Sequence, residues 1–237
     1  MSGESEKTEN TALTSRLISG FILAPLAVAF ILLGGVYFTG WVGIASVIAL
    51  YEWMGMVKNS QHQYHDMVTG GLYLMVCFGS YVFLRFGFEQ GAWLALGVLL
   101  AVAASDTGAF FVGKMVGGAK LAPKISPKKT WAGFFGAMFF CGLLLMVLVG
   151  LGHAIPPDLL KTDIGLKPKH VWIVFFIGGI LGAVGQAGDL LISWFKRRAG
   201  LKDTGHLIPG HGGLLDRIDS LLLVSPVFLV IMMLWFK

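Results

Sequence analysis

The sequence predicts an all-α, polytopic integral membrane protein of about seven transmembrane helices, N-terminus inside and C-terminus outside. Three observations predict it. Of 237 residues, 56% are hydrophobic and only 13% charged, against roughly 25% charged in a soluble domain. Apolar runs long enough to cross ~30 Å of hydrocarbon as helices fall at 16–36, 38–57, 67–86, 90–112, 131–152, 170–192 and 214–236. Those runs divide Lys and Arg unevenly. Lys7, Arg16, Lys58, Lys114, the clusters at 120–129 and 196–202 and Arg217 share the N-terminal side. Only Arg85, Lys161, Lys167, Lys169 and Lys237 fall on the other. The positive-inside rule then sets the orientation.

Taken in order, residues 1–15 (MSGESEKTENTALTS) are polar, acidic and aperiodic, the composition of a disordered cytoplasmic tail. The first apolar run begins too late and runs too long for the h-region of a cleaved signal peptide. A Gly-rich turn alone separates the first two spans. No repeat, low-complexity tract or separate soluble domain interrupts residues 16–237, which form a single transmembrane domain. Cys77 and Cys141 lie alone in separate apolar runs. That excludes a disulfide scaffold or zinc site and makes them small buried residues. His62, His65 and Asp66 have a spacing that metals sometimes use, but they read as a solvated inter-helix loop without a role. The net charge of +5 comes from loops beside spans, so it favours anionic headgroups and phosphates over nucleic acid. No G-x-x-x-x-G-K-[ST] and no strand–G-x-G-x-x-G–helix occurs, which excludes a P-loop NTPase and a dinucleotide fold. Most of the 33 glycines lie in spans, where small residues let helices pack closely.

Glu52, Asp106, Asp189, Asp216 and Asp219 fall within or at the ends of spans. A charge at a helix centre costs about 2.5–3.5 kcal/mol on insertion scales. These side chains are therefore expected to face a polar cavity, although Glu52 fits a residue snorkelling to the interface equally well. The densest polar stretch is Ser193–Asp219, SWFKRRAGLKDTGHLIPGHGGLLDRID, with three carboxylates, five basic side chains and two His. Asp216 and Asp219 are three apart and share a helical face. Asp189, Ser193 and Lys196, at i, i+4 and i+7, share another. Between them Pro209, Gly210, Gly212 and Gly213 force an irregular backbone that a ligand can approach closely. Carboxylates for a metal, cations for phosphates and a glycine turn between them are the parts a phosphoryl-group enzyme needs. Asp189, Asp216 and Asp219 are the candidate ligands of Mg²⁺, which keeps waters and phosphate oxygens in its other positions. An Asp203–Lys202 surface pair explains Asp203 as well as function does.

A second basic block, 113–130, holds Lys120, Lys124, Lys128 and Lys129 with Ser126, two prolines and Gly117-Gly118. It reads as a stiffened cationic loop suited to β- and γ-phosphates or a lipid phosphate. Positive-inside bias alone explains any single one of these lysines about one time in three. Lys196, Arg197, Lys202 and Arg217 are natural phosphate contacts. His211 serves a phosphate or orders its own loop.

The string S-x-x-K-R from Ser193, Lys202-Asp203, and P-G-H-G-G-x-x-D-R-x-D from Pro209 to Asp219 closely resembles the signature of the phosphatidate cytidylyltransferases, also called CDP-diacylglycerol synthases. The block from Ser105-Asp106-Thr107-Gly108-Ala109 to Lys120–Trp131 resembles that family too. The resemblance implies transfer of CMP from CTP to phosphatidate, giving CDP-diacylglycerol and pyrophosphate, at the cytoplasmic face of the cell inner membrane. It implies catalytic roles for Asp189, Asp216, Asp219, Lys196 and Arg217. It implies substrate contacts from Asp106, Lys124, Ser126, Lys128, Lys129, Ser193, Arg197, Lys202, His211 and Gly212. CTP, phosphatidate and membrane lipids are the implied partners. One metal ion or two, and a monomer or a homodimer, both stay open. A CTP-dependent polyprenol-type lipid kinase is the rival nearest in chemistry, resembling the family in its C-terminal block alone. An ion-coupled transporter gives no reason for the Lys-rich loop and the glycine turn to lie together.

Overall fold

The computed structural model describes residues 23–58, 60, 62–154, 170–205, 207 and 212–236. The expected N-terminal tail, His211 and the start of the glycine turn lie outside these residues. Among those described, seven helices follow in chain order. They are α1 (Leu23–Leu33), α2 (Gly35–Val57), α3 (Gln63–Phe86), α4 (Gly91–Val116), α5 (Trp131–Ala154), α6 (Val171–Arg198) and α7 (Leu215–Trp235). Six of them, α2 to α7, are long and apolar enough to cross a membrane. In hydrocarbon every backbone polar group must be satisfied within the protein, which is why such runs become helices. Leu33, Val36, Ile44, Phe135, Phe176 and Leu234 point out of the bundle and stay exposed. Such a surface is a liability in water and is solvated by lipid. The protein is therefore a multi-pass membrane protein.

One apolar core draws on all seven helices, through Ile31, Phe38, Tyr81, Val98, Leu145, Leu181 and Phe228. Packing is closest from α4 through α5 to α6. A Cβ at Gly108 would stand 2.7 Å from the Gly136 carbonyl, and one at Gly178 would stand 2.6 Å from Gly142 Cα. Only glycine lets these backbones meet. Between α1 and α2, Gly34 and Gly35 have φ of 63 and 52°, the left-handed region open to glycine. Arg85 of α3 donates through Nε to the Ile31 carbonyl at 2.8 Å, satisfying a group at the end of α1.

The polar end departs from expectation in three places. The expected loop at 113–130 is the last turn of α4 followed by a small antiparallel hairpin, β1 (Lys120–Ala122) and β2 (Ser126–Thr130). Lys120 faces Thr130 and Ala122 faces Ser126. The Ile125 N–H closes its turn on the Ala122 carbonyl at 3.1 Å, with Pro123 where its fixed φ suits a type I or II turn. Thr130 then caps α5, its Oγ1 accepting from the Gly133 N–H at 3.1 Å. Second, α6 continues past the expected end at 192 to Arg198, so Asp189, Ser193 and Lys196 stay on one unbroken helix. Third, Asp66 is buried in the first turn of α3 and does not lie in a solvated loop. It accepts from Ser60 Oγ at 2.5 Å and pairs with Arg198 at 3.6 Å, tying α3 to the end of α6.

Candidate active site

Four elements bring charged side chains together at this polar end. The α6 face presents Gln186, Asp189, Ser193 and Lys196, each about one turn from the next. The first turn of α7 presents Asp216, Arg217 and Asp219. From α4 come Asp106 and Lys114, and from β2 come Lys128 and Lys129. Together they surround a cavity of about 700 Å³, Ser193 alone standing behind its wall. α6 and α7 touch at Gly188, where a Cβ would lie 2.8 Å from the Asp219 carbonyl. That approach sets Asp189 and Asp219 on the same wall.

Asp106, Asp189 and Asp219 lie within electrostatic reach of one another. Asp189 is braced on both oxygens, by Ser193 Oγ at 3.1 Å and by the Lys129 ammonium at 2.7 Å. Lys129 also donates to the Gln186 side chain at 2.8 Å and to its carbonyl at 3.4 Å. Gln186 in turn donates to Asp106 at 3.4 Å. The three protons of Lys129 thus have protein acceptors, which makes it a strut of the cavity wall as well as a charge in it. Asp219 is 9% exposed. It accepts from the Ser220 N–H at 2.7 Å, and its other oxygen takes no hydrogen bond among the described residues.

Asp216 stands differently. Its Oδ1 receives the Lys196 ammonium at 2.6 Å. Its Oδ2 accepts from the Thr204 N–H at 2.8 Å, Thr204 Oγ1 at 3.0 Å and the Gly213 N–H at 3.1 Å. Four protein donors occupy this carboxylate, so Asp216 anchors the loop before α7 and orients Lys196. Among the described residues no three His, Cys, Asp or Glu side chains converge on one point as metal ligands.

Of the expected site residues, Asp106, Lys128, Lys129, Asp189, Lys196, Asp216, Arg217 and Asp219 all line the cavity, with Ser193 behind Asp189. Lys124, Ser126, Arg197, Lys202 and Gly212 do not line it. Lys124 and Lys202 are exposed outside it. Arg197 is a brace, donating to the Ile125 carbonyl at 3.2 Å and the Leu201 carbonyl at 3.3 Å, which holds the hairpin turn on the end of α6. Gly212, with φ of 82°, shapes the loop at Asp216. Sequence reasoning passed over Gln186 and Lys114. A lone amide three residues before Asp189 in an apolar span, on the same face, was the signal for the first.

The chain matches the model of the cytidylyltransferase family over residues 14–88 and 72–235. It is 37% identical over 213 residues to the phosphatidate cytidylyltransferase of Rickettsia typhi, covering 90% of this chain and 89% of that one. With the Rickettsia prowazekii phosphatidate cytidylyltransferase the identity is 37% over 219 residues, 91% and 90% of the two chains. With that of Staphylococcus aureus strain COL it is 38% over 163 residues, 66% and 58%.

Proposed function

The chain belongs to the cytidylyltransferase family, and from that premise we propose that it transfers CMP from CTP to phosphatidate, giving CDP-diacylglycerol and pyrophosphate. The observation that carries this reading is the composition of one cavity at the end of a membrane bundle. Asp106, Asp189 and Asp219 share it with Lys114, Lys128, Lys196 and Arg217. The cations of this cavity suit phosphates, and the carboxylates set among them suit a metal.

The donor set fits a hard cation, since it offers carboxylate oxygens and includes a buried Asp219 that, among the described residues, accepts a hydrogen bond only from the Ser220 N–H. Asp189 and Asp219 would hold Mg²⁺, with Asp106 beside them. When bound, Mg²⁺ neutralises triphosphate charge and acts as a Lewis acid at the phosphorus. Mg²⁺ commonly uses one or two protein carboxylates and fills its other positions with phosphate oxygens and water, so no third carboxylate is required.

In the reaction a phosphatidate oxygen attacks the α-phosphorus of CTP. The bond to the β-phosphate oxygen breaks, and pyrophosphate carries away the electron pair. Lys128 and Lys114, at the cavity rim, are placed to neutralise the leaving pyrophosphate. Lys196, oriented by Asp216, adds positive charge on the α6 side. An apolar cleft of about 240 Å³, lined by Ile31, Trp41, Tyr81, Leu99 and Leu221 among others, also reaches Arg217. A lipid chain in that cleft would carry its phosphate to Arg217, which faces both cleft and cavity.

The test uses purified protein, phosphatidate and CTP labelled at the α- or the γ-phosphate. The α-label is expected on the lipid and the γ-label in pyrophosphate. γ-Label on a lipid alcohol points to a kinase, and no labelled lipid in the presence of Mg²⁺ refutes the reading. Lys128→Ala is expected to raise the KM for CTP about tenfold, near the low end for a charge-assisted bond. Lys124→Ala and Lys202→Ala should stay within about twofold of wild type. Equal KM values across the three variants would remove Lys128 from the site.

The cavity is proposed to face the cytoplasm across the inner membrane, following the Lys and Arg asymmetry. In a background lacking Cys77 and Cys141, cysteines at 124 and 205 should be shielded from an impermeant reagent in intact cells, and one at 162 should react. Labelling of position 205 from outside reverses the orientation.

A further inference from the structure

Building on the function proposed above, we infer that Glu52 is a positioning residue for this reaction. From α2 it holds the first turn of α7, and with it Asp216, Arg217 and Asp219, against the cavity. The N-cap of α7, Leu214, supplies no side-chain hydrogen bond, yet the first N–H groups of a helix need acceptors from elsewhere. Glu52 provides them from 162 residues away. Its Oε1 accepts from the Leu214 N–H at 2.8 Å and its Oε2 from the Leu215 N–H at 2.8 Å. A carboxylate there also complements the positive end of the helix dipole. Glu52 is 4% exposed and does not line the cavity, so it acts through α7 and not on substrate.

The same carboxylate joins the site's own network. Thr204 Oγ1 lies 3.1 Å from Glu52 Oε2 and 3.0 Å from Asp216 Oδ2. Its single proton serves one carboxylate at a time. Glu52, Thr204, Asp216 and Lys196 therefore form one chain from α2 to α6 through the start of α7. Gly213 is what admits it. A Cβ there would lie 2.5 Å from Glu52 Oε2, so this glycine makes room for the carboxylate.

Glu52→Gln tests the assignment because the amide keeps the shape and offers one acceptor atom where two are needed. Hydrogen exchange of residues 214–219 and steady-state kinetics with phosphatidate and CTP are measured on purified wild type and variant. Loss of protection in the first turn of α7 is expected. With it, kcat should fall at least tenfold while the KM for CTP stays within twofold, since Lys114 and Lys128 lie on other elements. Unchanged protection, or wild-type kcat per folded protein, overturns the inference. A purely structural role predicts that second result together with a lower Tm. Should Glu52→Gln not fold, Thr204→Val and Thr204→Ser decide the matter. The first is expected to lose kcat several-fold at unchanged KM, and the second to retain most of it. Equal kcat in the two overturns the inference. A wild type that makes no CDP-lipid refutes the proposed function instead, and the exchange data still decide whether Glu52 caps α7.

Discussion

Asp189→Asn and Asp219→Asn are each expected to lower turnover by on the order of a hundredfold or more, as loss of a group that stabilises developing charge does. Both should leave the fold nearly intact. Neutralising position 219 relieves repulsion from Asp106 and Asp189. An amide at position 189 can keep its oxygen toward Lys129 and turn its NH2 to the Ser193 hydroxyl, which can accept as well as donate. Turnover of the wild type should also stop with chelator and return with Mg²⁺. The checks are kcat at several Mg²⁺ concentrations and Tm in detergent. Wild-type turnover by the Asp219 variant, or turnover that survives chelation, removes these carboxylates from metal binding.

Asp216→Ala is expected to behave differently, losing the fold and the activity together. It strands the Lys196 ammonium and three further donors in a largely buried place. Removing one partner of a buried ion pair costs about 3–5 kcal/mol. Lys196→Met should cost a similar amount, by leaving the carboxylate without its cation. The double variant Lys196→Met, Asp216→Ala should recover part of the Tm, since no ammonium is then stranded, but none of the activity. Thermal unfolding by tryptophan fluorescence, run beside the activity assay, reads both. Equal Tm values for Asp216→Ala and Asp219→Asn would show that the pair does not anchor the loop.

The difference between Asp216 and Asp219 marks where sequence reading stops. The sequence by itself determined the helices. A run such as 38–57 has few conformations open to it in hydrocarbon, and it lies within α2 (Gly35–Val57). It determined equally that Asp189, Ser193 and Lys196 share a face, and that Asp216 and Asp219 do, because helical periodicity is a local property. It also carried the local signals of the hairpin, with Pro123 in the turn and Thr130 as a cap, although 113–130 reads as a stiffened cationic loop. What periodicity cannot convey is which partner meets each side chain. Asp216 has its oxygens filled by Lys196, Thr204 and Gly213, whereas Asp219, one turn on, turns to the carboxylates of α4 and α6. Arg197 is likewise taken up by the hairpin carbonyl of Ile125, and Lys124 is left outside. Glu52 is the clearest case. On α2 it is one carboxylate in an apolar run, equally suited to snorkelling. Only the packing of α2 against the loop and start of α7 puts two backbone N–H groups 2.8 Å from its oxygens. A buried charge is decided by the donors that surround it, and here those donors lie 152 to 163 residues away.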